Sequence, residues 1–326
     1  MKSLTTTAIL LLFCLLNGAH AQVPAKPSTT SADSQPAETP PTVVDLTLPQ
    51  LLKAIPQLRG LKPAKDQQEL PALLEKIGEK AEALFHKTPN LLSHEEVLQA
   101  RNGAKPTRQD FEYLILPHPT ENDVTLDEYR VDLQKNTQTP SEPFNPAAVI
   151  TGGAAAIADL ERRSIEASTH NPKALPLSQG FANSWVHFYP SNRSQATFRY
   201  LGRQHIRGQN HFVIAFAQIP ASVQSPGELR FEGNSFPIYY QGIAWVEESR
   251  FRIVHLRTDL LAPLRAVHLQ KLTADIYFAE TNVAHSDPLW LPQKVVVTVD
   301  VSGDVFQEQH LYSDYRAYVV ETKIKF

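Results

Sequence analysis

From Ser184 to the C-terminus the chain runs in short stretches of alternating or wholly apolar residues broken by small polar turns, and this pattern limits the fold more than any other feature. "SWVHFY", "ATFRYLGRQHI" and "HFVIAFAQ" are separated by "PSNRSQ" and "RGQN"; "GIAWVEE", "FRIVHLRTD", "ADIYFAE", "KVVVTVDV" and "VFQEQHLYSDYRAYVV" come after them, with a turn at Ser302-Gly303-Asp304. Segments rich in β-branched and aromatic residues and bounded by turn formers predict strands. Three earlier segments, "EVLQAR", "FEYLILPH" and "TLDEYRVDL", bring the expected total to about eleven. The short links demand antiparallel pairing, because a parallel pair needs a long crossover.

A sheet of that size coils or closes, since strand twist accumulates. The segment "DQQELPALLEKIGEKAEALFHK", Asp66 to Lys87, supplies something to coil around. Leu70, Leu73, Leu74, Ile77, Ala81, Leu84 and Phe85 recur at helical spacing opposite Glu75, Lys76, Glu79 and Lys80, which predicts an amphipathic helix. Asp66 with Glu69 three residues on resembles a capping box, and Pro89 ends the run. A second helix is expected in "AAVITGGAAAIADLERRSIEAS". "TGGAAA" lacks the Lys-Ser/Thr ending of a phosphate loop. The expected class is α+β: a large curved antiparallel sheet, a half-barrel, wrapped round one or two helices.

The order helix, strands, "FRYLGRQHIRGQNHFVIAF", "GIAWVEESRFRIVHLRTD" and "HLYSDYRAY" resembles the LolA-like extracytoplasmic superfamily, to which the periplasmic lipoprotein carrier belongs. In that pattern a strand ending in "LG", a glycine turn and an apolar strand precede a tryptophan-acid hairpin, with a "YSDYR" type strand near the end. The resemblance covers roughly Asp66 to the C-terminus and implies a lipid-binding half-barrel. The "GIAWVE…FRIVHLRTDLLAP" and "LWLPQKV" blocks are also similar to those of uncharacterised secreted proteins of soil bacteria. Lipoprotein carriers have a short first hairpin whose arginine steers the lipid. Here that place holds "ARNGAKPTRQDFEYLILPHPTENDVTLDEYR", in which Arg101 and Arg108 are the candidate counterparts.

The N-terminus bears on compartment. Lys2, the apolar run Ala8 to Leu16 and the small-x-small "AHA" ending at Ala21 read as a cleavable secretory signal over residues 1–21. Export to the periplasm or beyond is therefore expected. The single cysteine, Cys14, falls within that leader, so the mature domain relies on burial without disulfides. Residues 22–65, rich in Pro, Ser and Thr, are expected to be a disordered tether, with short helical turns allowed in "LPQLLKAIPQLRGLKP". Residues 66–326 are expected to form the domain. The net charge of −3 lacks the basic excess of a nucleic-acid binder. No apolar run reaches membrane-spanning length, so no stable membrane span is expected.

The chemistry-bearing residues do not assemble into a known motif. "SHEEV" is not H-E-x-x-H. His205 and His211 flank a hairpin turn where they could face each other, but two ligands do not make a metal site, and none is expected. No G-x-S-x-G elbow occurs. Ser249, His255 and Asp259 are near in sequence only, and Asp259 with Asp314 makes an acid pair only if their strands meet. An enzyme is not expected, and neither is a cofactor. The aromatic strands are more informative: Phe212, Ile214 and Phe216 share one face, while Val213, Ala215 and Ala217 make the other apolar too, so that strand is buried on both sides. Trp185, Phe198, Phe212, Ile214, Phe216 and Trp245 are the candidates to line a cavity. In "RFRIVHLRTD" the faces Arg250/Arg252/Val254/Leu256 and Phe251/Ile253/His255/Arg257 each switch character part-way, and Arg257 has Asp259 or Glu247 as ion-pair candidates. Three functions fit these features: an extracytoplasmic noncatalytic binder of a hydrophobic or lipid ligand, an interaction protein with a fully packed core and a protein partner, and an unrecognised hydrolase.

Overall fold

Eleven strands form one open antiparallel sheet in the computed structural model, which describes residues 10–13, 41–119, 124–133, 152–168, 178, 180–231, 234–284 and 286–318. The strands are β1 (Leu10–Phe13), β2 (Lys62–Pro63), β3 (Leu91–Arg101), β4 (Thr107–Pro119), β5 (Val124–Asp132), β6 (Ala196–Ile206), β7 (Gln209–Gln218), β8 (Gly227–Phe231), β9 (Asn234–Ile238), β10 (Tyr240–Glu247), β11 (Ile253–Leu260), β12 (Leu269–Thr281), β13 (Leu289–Val301) and β14 (Asp304–Ala317). The helices are α1 (Leu48–Ala54), α2 (Leu70–Lys87) and α3 (Gly153–Ser168). The large sheet runs β2-β6-β7-β10-β11-β12-β13-β14-β3-β4-β5, and its edges β2 and β5 do not pair, so it is a half-barrel and not a barrel. A small sheet, β1-β8-β9, is separate in hydrogen bonding but packs Leu229 and Ile238 into the same core. The leader and tether expected before residue 41 lie outside the described residues, except that Leu10–Phe13 pair with Phe231–Glu228.

The core explains the curvature. Leu73, Ile77, Ala81 and Phe85 of α2 are buried at the spacing its stripe predicts, against Phe212, Ile214 and Phe216 of β7 and the inward residues of β10 to β14. This α2-bearing side is the inner face of the sheet. The helix starts at Leu70, so Glu69 and not Asp66 precedes it. Asp66 accepts instead from the Gln68 N–H at 2.9 Å, while Gln67 exchanges two hydrogen bonds with the Tyr200 backbone at 2.7 and 2.9 Å. That tie to β6 holds residues 66–69 out of helical register, and the expected capping box does not form.

Three further expectations are corrected by packing. "SWVHFY" is a 3-10 segment, Ala182–Phe188, and not a strand. Phe181, Trp185 and Phe188 recur four and three residues apart and all are buried, a helical period hidden behind the Trp185/His187/Tyr189 alternation. Its place in the strand count is taken by β2. The disordered tether does not extend to residue 65: Val43, Leu51, Ile55 and Leu58 are buried on the outer face of the sheet, against Leu201, Val213, Ala215, Ile243 and Trp245. Backbone and side chains anchor this segment, with the Val43 N–H donating to Gln241 Oε1 at 2.7 Å and Gln204 Nε2 donating to the carbonyls of Gln57 and Arg59 at 2.8 Å each. β7 is thus buried on both sides, as its doubly apolar sequence demands.

The third correction concerns β11. A bulge pairs Trp245 with His255 and Val246 with Ile253, so Val254 is an extra residue and the parity of the strand inverts there. Ile253 and Leu256 consequently join the inner core, while Val254 packs with Trp245 outside. Strict alternation would have put Ile253 and Leu256 on opposite faces.

Candidate functional site

Segment 180–188 crosses the inner face of the sheet and leaves a pocket beneath it. Phe181, Asn183, Ser184, Val186 and His187 form one wall. Opposite them lie Thr258 of β11, Leu272, Ala274 and Ile276 of β12 and Val297 of β13. Glu128, Ser178, Gly180, Gln218, Ser225, Gly227 and Tyr240 complete the lining. The space open to the centres of water-sized molecules is ≈ 100 Å³, several times the roughly 10–15 Å³ that one water requires. A slender aliphatic chain or a small head group fits such a space better than a bulky ring system.

The polar side chains of the pocket are few and specific. Glu128 accepts a hydrogen bond from the Tyr113 hydroxyl, from the Ala182 N–H at 3.0 Å and from Asn183 Nδ2 at 3.2 Å. Burial pushes its carboxyl up to about 7, against the opposing effect of those N–H groups and of the Arg130 charge. Gly180 is required here, because a Cβ would fall on the Glu128 carboxylate and the Tyr113 hydroxyl. His187 stacks on Phe216 with ring centroids 4.8 Å apart, and burial pushes its imidazole down to about 4. It is therefore neutral at pH 7 and offers one acceptor and one donor nitrogen. Ser184 Oγ donates to the Phe181 carbonyl at 2.7 Å and is not paired with His187, so this serine, carboxyl and imidazole do not form a nucleophile–base pair. Ser178 is 3% exposed, and its hydroxyl has no partner among the described residues. Among the described residues no lysine or arginine lines the pocket.

Beside the pocket, the same inner face carries a buried charged network. Arg130 of β5 clasps Glu95 of β3 with Nε–Oε2 2.5 Å and Nη2–Oε1 2.9 Å. His310 of β14 bridges Glu95 at 2.8 Å and Glu308 at 3.2 Å. Gln99 donates to Glu308 at 2.9 Å, and Arg130 Nη1 donates to the Ser178 carbonyl at 2.6 Å. Burial alone would raise Glu95, but the Arg130 charge and the bonds from His310 and Arg130 outweigh it and hold the carboxyl at about 2. His310 would be lowered by burial, yet its bonds to Glu308 and Glu95 keep it above its ordinary value. The network ties β5, β3 and β14 to residue 178 and leaves Arg130 fully engaged.

The six residues singled out for a cavity are distributed differently from the expectation. Phe212, Ile214 and Phe216 lie in the inner core, and Phe198 packs half-buried against it. Trp185 is buried in the 3-10 segment. Trp245 faces outward, where its Nε1 donates to Gln204 Oε1 at 2.7 Å and its ring stacks on His255 at 4.2 Å. None of the six is a lining residue of the pocket, and Phe216 meets it through the His187 stack. The residues that do carry its chemistry, Glu128 and Ser178, are not among the six. The available signal is Leu126, Glu128 and Arg130 on one face of β5, opposite buried Tyr129 and Val131. A charged face opposite an apolar one reads as solvent-facing, but here α3 covers the apolar side and the charged side turns inward.

The remaining candidates are dispersed. His205 and His211 project to opposite faces, since Gln204 pairs with His211 and His205 with Asn210 across the hairpin. Ser249 bonds Glu247 and His255 bonds Asp275, so neither meets Asp259. Asp259 accepts Arg257 at 2.8 and 3.0 Å, the ion pair expected of Arg257. β11 and β14 are not neighbours, so Asp259 and Asp314 do not pair. Arg101 and Arg108 are engaged in exposed ion pairs, with Asp304 and with Asp110 and Glu96 respectively. Among the described residues no helix is long and apolar enough to cross a membrane.

No family model matches the chain, and no curated protein matches it. Solved structures similar to it include a domain described as an outer membrane lipoprotein-sorting protein from Vibrio parahaemolyticus, 12% identical over 77% of this chain and 94% of that one, with a TM-score of 0.38. A LolA superfamily protein from Nitrosomonas europaea is 12% identical over 76% and 94%, with a TM-score of 0.33. A DUF1329 family protein from Desulfovibrio piger is 11% identical over 77% and 94%, with a TM-score of 0.40. The superfamily named for the second structure is the one the sequence resembles. The assignment of an open half-barrel rests on the strand order itself.

Proposed function

We propose that the chain is an extracytoplasmic, noncatalytic binding protein for an apolar or amphiphilic ligand held under segment 180–188. The observation that carries this reading is the aliphatic floor of Leu272, Ala274, Ile276 and Val297, which has open space between it and segment 180–188. Each methylene that leaves water for such a surface contributes about 0.8 kcal/mol, so even a short segment of chain would be held. Export rests on the leader-like residues 1–21. The folded unit in this reading begins near residue 42, because the Val43–Leu58 segment closes the outer face, and the tether is confined to residues before it.

Native mass spectrometry of freshly purified protein, followed by titration with dodecanol watched through tryptophan fluorescence, tests the proposal. A copurifying lipid or a saturable response is expected. Ala274→Leu should weaken the response about tenfold while changing stability by less than about 1.5 kcal/mol, because its added methylenes enter existing space. If nothing copurifies and no saturable response appears with the fold intact, the binding reading fails. The alternative is then an interaction protein with a packed core, which the complete burial of Trp185, Phe188 and Phe216 favours.

A further inference from the structure

Resting on the binding reading above, we propose that the pocket selects an aliphatic chain whose head is a protonated amine, and rejects carboxylate and phosphate heads. Among the described residues the lining offers acceptors and holds no lysine or arginine. Glu128 is the one charged side chain among the described lining residues, the His187 imidazole is neutral, and the Ser178 hydroxyl is buried without a partner among the described residues. An ammonium carries three donors and no acceptor, so the Ser178 hydroxyl and the His187 imidazole can accept from it, and its charge compensates that of Glu128, whose oxygens already accept from Tyr113, Ala182 and Asn183. An anionic head would meet Glu128 with no free counter-charge among the described residues. The nearby arginine, Arg130, is held by both oxygens of Glu95 and by the Ser178 carbonyl. The aliphatic residues Leu272, Ala274, Ile276 and Val297 take the chain.

The selectivity should follow the charge on Glu128. The groups facing it are the Tyr113 hydroxyl from β4, the Ala182 and Asn183 N–H groups from the 3-10 segment, Arg130 on its own strand and the Tyr312 and Tyr315 phenols of β14. Burial holds both β14 phenols far above their ordinary value, and Arg130 remains charged, so Glu128 is the group among them that changes charge between pH 5.5 and 8.

The test is titration of the folded full chain with dodecylamine, dodecanol and dodecanoate, each below its micelle concentration, at pH 5.5 and pH 8. At pH 8 dodecylamine should bind about tenfold or more tightly than dodecanoate, a preference that shrinks to within about threefold at pH 5.5 and in Glu128→Gln at pH 8. Ser178→Ala should weaken dodecylamine relative to dodecanol severalfold, which keeps the question answerable if Glu128→Gln does not fold. Equal or tighter binding of dodecanoate at pH 8, with dodecanol still saturable, overturns the amine selectivity and leaves the binding reading standing. Failure of all three probes to bind the folded protein overturns both.

Discussion

Two parts of one inner face are built on opposite principles. Over β11 to β13 the inward residues include Thr258, Leu272, Ala274, Ile276 and Val297, and beside these they leave space. Over β14, β3 and β5 they include Glu308, His310, Glu95 and Arg130, and they leave none of those charges exposed. The aliphatic part makes no directional demand on what lies above it, so an empty volume there costs only lost dispersion contacts. The charged part is unforgiving, because each buried group needs a partner in one geometry. A single sheet can therefore be rigid along one side and receptive along the other. Glu128 sits on the boundary, one residue pair from Arg130 on β5 and in the wall of the pocket.

The largest expected effect breaks the rigid side. Arg130→Met leaves Glu95 buried without its main counter-charge and should cost about 3–5 kcal/mol in urea unfolding. The double variant Arg130→Met, Glu95→Met should recover much of that loss, since it removes the uncompensated charge as well as the pair. If the single variant costs less than about 1 kcal/mol, the network is not what holds this side.

A smaller effect sharpens the boundary through pH. Glu128 is raised from 4.5 to about 7 in the fold, so its contribution is fully present below 4.5 and is lost as pH rises through 7. His187 is lowered from 6.5 to about 4, so its contribution is fully present above 6.5 and is lost as pH falls through 4. Between pH 4.5 and 6.5 the two slopes oppose and stability should be nearly flat on their account. His187→Phe should unmask a decline of about 3 kcal/mol from pH 4.5 to 7, and Glu128→Gln a rise of about 3 kcal/mol from pH 4 to 6.5. Chemical denaturation across that range reads both slopes, and identical profiles for the two variants would contradict the assignment.

The smallest effects compare the inner face with the outer one. Trp245→Phe should cost about 1–2 kcal/mol, for the lost bond to Gln204 and reduced packing, and should leave the fluorescence response to dodecanol intact, because Trp185 and Trp290 pack with the inner core, on the ligand side. Limited proteolysis should trim the chain no further than about residue 42, since burial of Leu51, Ile55 and Leu58 protects the backbone around them. Rapid cleavage within residues 43–64 would show that the outer cover is loose.

The sequence by itself determined the local periods. β6 was legible from Ala196 to Ile206, the glycine turns at Gly208 and Gly303 adopt the positive φ their hairpins require, and the buried stripe of α2 reflects its 3.6-residue repeat. These are properties of neighbouring residues, and neighbouring residues were in view. What only the tertiary structure decided is which face of each strand looks inward and what meets there. Trp245 and Phe212 have the same apolar character, yet one lies under α1 and the other under α2, because both faces of the sheet are covered and alternation carries no sign. One extra residue at Val254 then inverted the parity of β11 beyond the reach of any pattern. Glu95 and His310 are 215 residues apart in the chain, and neither is conspicuous in its own strand. A buried carboxylate is tolerable only where a distant partner arrives, and that arrival is a property of the folded sheet, not of either segment that contributes to it.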